Sequence, residues 1–156
     1  MNAPLVIPDE VGGQHRRLVV AAALVDSLEC PTKMLAARRT HPDYAAGKYE
    51  FPGGKVEECE QPAEALLREL REELGIEVEL GPEIPGPDHL SGHDGWFITD
   101  RHIMRVWLAR LVSGVPVPRV DHDHVRWLTA STVMSVDWLE GDLPIVRELA
   151  RRLFQG

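Results

Sequence analysis

The chain has 156 residues, 44% hydrophobic and 27% charged, which fits one soluble domain and excludes a disordered or collagen-like chain. The longest apolar run, 18–25, is far short of the ~20 residues a bilayer span needs, and the N-terminus lacks a secretory signal pattern. Two cysteines, Cys30 and Cys59, cannot build a disulfide framework, so the expectation is a cytoplasmic protein with no membrane partner.

Residues 1–15, with two prolines and paired glycines, read as a flexible N-terminal arm before a single domain over 16–156. Leu18–Val25 is a short, all-apolar run that predicts a buried strand, and Lys33–Arg39 its partner. Thr40–Lys48 is a loop broken by Pro42 and Gly47. Tyr49–Phe51 leads into Pro52-Gly53-Gly54, read as a sharp turn. Pro62–Leu74 is the clearest helix: Pro62 suits its first turn, Glu64 the positive end of its dipole, and Gly75 its C-terminal stop. Ile76–Leu80 alternates as a half-exposed strand does. Gly81–Gly95 reads as a long loop, with a length that suggests function. Arg101–Leu111 and Val125–Thr129 are strands, separated by a loop over Ser113–His124. Leu143–Phe154 is an amphipathic helix with Ile145, Val146, Leu149 and Leu153 on one face. The alternation of strands and helices gives the class α/β or α+β.

The charge is concentrated. The net charge is −8, and nine glutamates against two arginines between positions 57 and 79 supply seven of those eight charges. No basic face for duplex nucleic acid is indicated. On a helical wheel with Leu66 at zero, Leu67, Leu70, Leu74 and Ala63 fall within a ~100° arc, and Glu72, Glu69 and Glu73 line its border. Like charges three and four residues apart repel. Such a set is either an ordinary solvated face or a hard-oxygen site for Mg²⁺, with Mn²⁺ the alternative. Arg68, one turn before Glu72, is placed to hold that carboxylate.

From Gly54 the chain reads GKVEECEQPAEALLRELREELGI. Gly54, Glu60, Arg68, Glu69, Leu70, Glu72, Glu73, Gly75 and Ile76 occupy every fixed position of the Nudix box. The chain thus resembles the Nudix hydrolases. The resemblance implies an α/β/α sandwich with a mixed central sheet, and water attack on a phosphorus of a nucleoside diphosphate linked to another group. It implies metal ligation by the Gly53 carbonyl and by Glu69, Glu72 and Glu73, and Asp121 in the 113–124 loop reads as an extra acidic ligand. The proton of the attacking water goes to Glu69, with Glu60 and Asp121 as competitors. Arg39, Gly54, Lys55, Arg101 and Asp142 form the expected substrate-binding set, Lys55 as a point charge and Arg39 as a fork on phosphate.

Residues 48–57 (KYEFPGGKVE), 100–103 (DRHI) and 142–146 (DLPIV) resemble the MutT branch. There the residue at position 142 reads the base, and is Asn in MutT and Asp in related CTP pyrophosphohydrolases. An Asn amide donates and accepts, whereas an ionised Asp only accepts and suits an exocyclic amine. A raised pKa would return the donor. Asp142 also reads as a helix N-cap before Leu143-Pro144. The resemblance therefore implies a nucleoside triphosphate pyrophosphohydrolase, monomeric or homodimeric, acting on 8-oxo-dGTP or a related modified nucleotide. A cytidine triphosphate, a broader range such as ADP-sugars, and a catalytically silent nucleotide-binding module are the alternatives. The Asp-His-Asp-His run at 121–124 raises a transition-metal site as a further alternative.

Overall fold

Strand alternation explains the architecture. The computed structural model describes residues 6–8, 15–86, 95–119 and 121–153. Strand β2 (His15–Val25) buries nearly every side chain from Leu18 to Val25, because both of its faces are covered. Leu18, Val20, Ala22 and Leu24 pack with helix α1 (Pro62–Leu74), and Ala21, Ala23 and Val25 with helix α2 (Leu143–Leu153). Successive strand residues point to opposite faces, so a sheet buried on both sides reads as an unbroken apolar run. The result is an α/β/α sandwich.

The sheet is mixed. Strand β8 (His102–Ser113) runs parallel to β2, with Arg17 opposite His102 and Val25 opposite Arg110. The other edge of β2 serves three antiparallel partners in turn: β1 (Val6–Pro8), β5 (Gly53–Lys55) and β3 (Lys33–Arg39). Strand β3 also pairs with β4 (Tyr49–Glu50) and β9 (His122–Thr129), and β8 with β6 (Glu77–Ile84) and β7 (Trp96–Thr99). No helix among the described residues is long and apolar enough to cross a membrane.

Several expectations need correction. Val6–Pro8, inside the segment read as a loose arm, lies in the sheet beside His15–Arg17. The Gly53-Gly54 turn is strand β5, since glycines let it approach β2 closely: a Cβ on Gly53 would lie 1.9 Å from the Val20 carbonyl oxygen. The strand read over 76–80 runs on through Gly81 and Pro82 to Ile84, with a register shift between Leu80 and Glu83. Trp96–Thr99 is a strand that period alone did not reveal. Within the loop read over 81–95, residues 87–94 lie outside the described residues, as do Val120, Phe154 and the side chain of Leu153.

Helix α1 keeps its expected bounds. Pro62 sits in its first turn, and Gly75 closes it at φ +68° with its N–H donated to the Arg71 carbonyl. Its buried stripe is rotated from the expected one. Ala65, Leu66, Leu70 and Leu74 are buried, while Ala63 and Leu67 are half-exposed. Each fully buried leucine contributes roughly 1.5–3 kcal/mol. The rotation puts Glu69 and Glu73 between Ala65 and Leu66, inside the buried arc. Glu72 stays outside it.

Candidate active site

The buried glutamates of α1 meet strand β5, where two glycines leave room for them. A Cβ on Gly54 would lie 2.3 Å from Cδ of Glu69, so the carboxylate fills the space an alanine would take. The Gly53 N–H donates to Glu73. Both side chains are nearly closed to solvent, 14% exposed for Glu69 and 13% for Glu73. Burial, then the charges of Glu69 and Glu50, push Glu73 up to about 8. Burial also raises Glu69, against the pull of Arg68.

Arg68 organises the acidic residues around it. Its Nε and Nη2 donate to the two oxygens of Glu60 at 2.7 and 2.9 Å, and Nη1 reaches Glu69 at 3.0 Å and Glu72 at 3.1 Å. Nη2 also donates to the Lys55 carbonyl at 3.0 Å. A planar fork with several donors suits this role, and a lysine has no equivalent. Glu60, with both oxygens taken and the Glu57 N–H added, is held below the usual carboxylate range.

The expected carboxylate trio does not close into a cage. Glu72 is 59% exposed and turned to Arg68. Asp121 pairs with His41 Nε2 at 2.8 Å. Among the described residues no three His, Cys, Asp or Glu side chains gather as metal-holding groups do. The donors nonetheless fit a divalent cation. They are hard carboxylate oxygens crowded together, and the buried Oε2 of Glu73 has no hydrogen-bond partner among the described residues. Glu69 and Glu73 would hold such an ion from the protein side. Waters and substrate phosphates would complete its shell, as this class of site requires.

Beside Glu73 stands a buried polar chain. His122 Nε2 lies 2.8 Å from Glu50 Oε2, the oxygen that also accepts from Arg39 Nη1 at 2.8 Å. Arg39 Nε donates to the His41 carbonyl, so this expected phosphate ligand is partly engaged within the protein. Sequence reasoning missed Glu50, for which no spacing signal existed, and singled out His122 only as part of the 121–124 run.

Asp142 is 1% exposed, and its Oδ2 accepts the Phe51 N–H at 3.0 Å. That bond ties the start of α2 to the end of β4 across the sequence, which is a different role from the helix cap weighed for it. Burial, then Glu50, pushes it up to about 8. Arg101 is exposed in the turn before β8, and Lys55 is exposed on β5. The two share a neighbourhood, since both depress the His102 imidazole, chiefly lowered by its burial.

A family model described as the NUDIX domain matches residues 15–151. This chain belongs to the Nudix family. Its relatives lie in the MutT-like branch. A Mycobacterium tuberculosis protein named putative 8-oxo-dGTP diphosphatase 2 is 36% identical over 140 residues, covering 88% of this chain and 90% of that one. The CTP pyrophosphohydrolase of Escherichia coli is 39% identical over 92 residues, 56% of this chain and 66% of its own. The solution structure of the E. coli ORF135 protein matches with a TM-score of 0.61 at 29% identity, covering 85% of this chain and 86% of that one. The Nudix sandwich accounts for the mixed sheet and for a box helix docked on a glycine strand.

Proposed function

We propose that this Nudix protein hydrolyses nucleoside triphosphates to the monophosphate and pyrophosphate with a divalent cation, Mg²⁺ or Mn²⁺, and that oxidised guanine nucleotides are its preferred substrates. The observation that carries the substrate class is Asp142: buried, tied to Phe51, and pushed up to about 8. At neutral pH such a carboxyl keeps its proton and offers both a donor and an acceptor, as an amide does. That pairing matches the C=O and added N–H of oxidised guanine. The names of the M. tuberculosis and E. coli relatives point to the same two candidates, 8-oxo-dGTP and CTP.

Held by Glu69 and Glu73, a divalent cation would supply charge neutralisation at the phosphate oxygens and a more acidic water. The chain's residues do the rest. Glu69, with Oε1 held by Arg68 and its basicity raised by burial, takes the water proton. Glu60 acts by fixing Arg68, since its own oxygens are occupied. Lys55 and Arg101 meet phosphate or sugar oxygens as exposed cations. The test is a substrate panel of 8-oxo-dGTP, dGTP, CTP, 5-methyl-dCTP and an ADP-sugar. The expected result is the highest kcat/KM on 8-oxo-dGTP, with pyrophosphate as co-product. Preference for CTP would favour the cytidine reading, and release of two monophosphates from the ADP-sugar as best substrate would overturn the proposal.

A further inference from the structure

Two buried polar atoms, Glu73 Oε2 and His122 Nδ1, have no hydrogen-bond partner among the described residues. They lie 3.8 Å apart, and the His122 side chain is 1% exposed. This is too long for a hydrogen bond, and burying either atom unpaired is costly.

The tautomer follows from the other end of the ring. Glu50 Oε2 receives Arg39 Nη1 and stands 2.8 Å from His122 Nε2. A carboxylate engaged by a guanidinium is an acceptor, so Nε2 carries the proton. In the neutral ring, Nδ1 then presents a lone pair. Once Glu73 gives up its proton to a cation, two buried lone-pair atoms face one another across 3.8 Å, and the cation between them would satisfy both. Cation–nitrogen and cation–oxygen bonds of about 2.0–2.2 Å span 3.8 Å at an open angle. A carboxylate holding the far nitrogen of a histidine is the usual outer support of a metal-bound imidazole.

We propose that His122 is a nitrogen donor to the divalent cation held by Glu73, with Glu50 as its outer support, so that the site favours Mn²⁺ and Co²⁺ over Mg²⁺. The inference rests on the reading of Glu73 as a metal ligand and deepens it. Mg²⁺ takes oxygen ligands, whereas an imidazole raises affinity along the series from Mn²⁺ to Co²⁺. The 121–124 run does not act as a unit. A register shift between Arg38 and Arg39 separates its two histidines on β9. His124 stands edge-on to Tyr49, and Asp123 pairs with Arg38. His122 is the member of the run that stands 3.8 Å from Glu73, while Asp121 pairs with His41.

Pulsed EPR of Mn²⁺ on the full chain, without nucleotide, reads the contact directly. Nitrogen modulation from a bound imidazole is expected in the wild type and lost in His122→Asn. Calorimetric titration with Co²⁺ and Mg²⁺ should show the Co²⁺-to-Mg²⁺ affinity ratio fall tenfold or more in His122→Asn. Glu50→Gln should lower Co²⁺ affinity several-fold and keep the nitrogen signal. Wild-type protein with bound Mn²⁺ and no nitrogen modulation would overturn the proposal and leave His122 as an ion-pair partner of Glu73. That wild-type measurement decides the matter even if His122→Asn fails to fold. Triphosphate hydrolysis without nitrogen modulation would sink this inference alone. Modulation without triphosphate hydrolysis would sink the proposed function and leave the nitrogen donor standing.

Discussion

Arg68 grips Glu60 through two parallel contacts, Nε to Oε2 at 2.7 Å and Nη2 to Oε1 at 2.9 Å. The remaining nitrogen, Nη1, reaches both Glu69 and Glu72. One guanidinium thus sets the positions of three glutamates, and the Glu60 contact fixes the guanidinium. The arginine is 22% exposed, so these contacts are partly shielded from solvent.

Arg68→Lys keeps the charge and loses the fork. Hydrogen bonds to charged groups contribute about 1.5–3 kcal/mol each, though solvent reduces that here. The melting temperature should fall by several degrees, and kcat should fall by ~10²-fold or more as Glu69 loses its orientation. Glu60→Gln should give the same kcat loss in weaker form. If Glu60→Gln cost more activity than Arg68→Lys, Glu60 would be touching the reaction itself.

The bounds of β3 and α1 were legible because burial periodicity and caps are local signals. So was the box, because its residues are contiguous. What escaped the sequence depends on long-range pairing. Glu50 matters because β4 pairs with β3 and brings it beside Arg39 and His122, 72 positions away from the latter. A helical wheel registers only which positions of α1 are apolar. It could not register that Gly53 and Gly54 would leave a recess that admits Glu69 and Glu73. Likewise, the turn chemistry of Asp142 read as a cap, yet its side chain bonds to Phe51 from a distant strand.

The two glycines of β5 should respond differently to alanine. At Gly53 the new Cβ meets the Val20 backbone 1.9 Å away, and β2 cannot move, so Gly53→Ala should destabilise severely. At Gly54 the obstruction is the end of the Glu69 side chain, which can swing aside. Gly54→Ala should therefore fold with a modest drop in melting temperature and lose ~10²-fold in kcat. Equal thermal losses in the two variants would contradict the recess.

Cys59 adopts φ +64° just before Glu60. An L-residue there is disfavoured by roughly 1–2 kcal/mol, and glycine carries no such penalty. Cys59→Gly should raise the melting temperature by a few degrees, after the entropic cost of the glycine, with little change in kcat. A lowered melting temperature would mean that the interactions Cys59 makes outweigh the strain.

Glu73 links pH, metal and stability. Its folded pKa, about 8, lies above the ordinary value of 4.5. The folded state therefore favours the neutral acid. That stability is fully present below about pH 4.5 and is lost as pH rises through about 8. With a chelator present, the melting temperature should fall over this range, and Mn²⁺ should restore it above pH 7 by mass action. Glu73→Gln should flatten both responses. A variant that still gained stability from Mn²⁺ as the wild type does would place the metal elsewhere.

Asp142 gives the sharpest test of substrate choice. Its folded pKa, pushed up to about 8 by burial and Glu50, makes it a donor at neutral pH and an acceptor only above that. kcat/KM on 8-oxo-dGTP should hold steady below pH 7 and fall through about pH 8 as the donor is lost. Over the same interval CTP, with an exocyclic amine for the ionised form, should gain relative to 8-oxo-dGTP. A good hydrogen-bond pair discriminates by ~1–3 kcal/mol, so the ratio should move by about tenfold or more. Asp142→Asn keeps an acceptor for the Phe51 N–H and supplies a permanent donor. It should retain 8-oxo-dGTP turnover at pH 7 and lose the alkaline decline. Stability should follow the same sign: in the wild type the contribution of the neutral carboxyl is present below about pH 4 and lost as pH rises through about 8, and the Asn variant is flat. If Asp142→Asn left substrate ranking and pH profile unchanged and lowered only the melting temperature, Asp142 would serve solely to tie α2 to β4. Arg101, exposed in the turn before β8, would then be the next residue to test for reading the base.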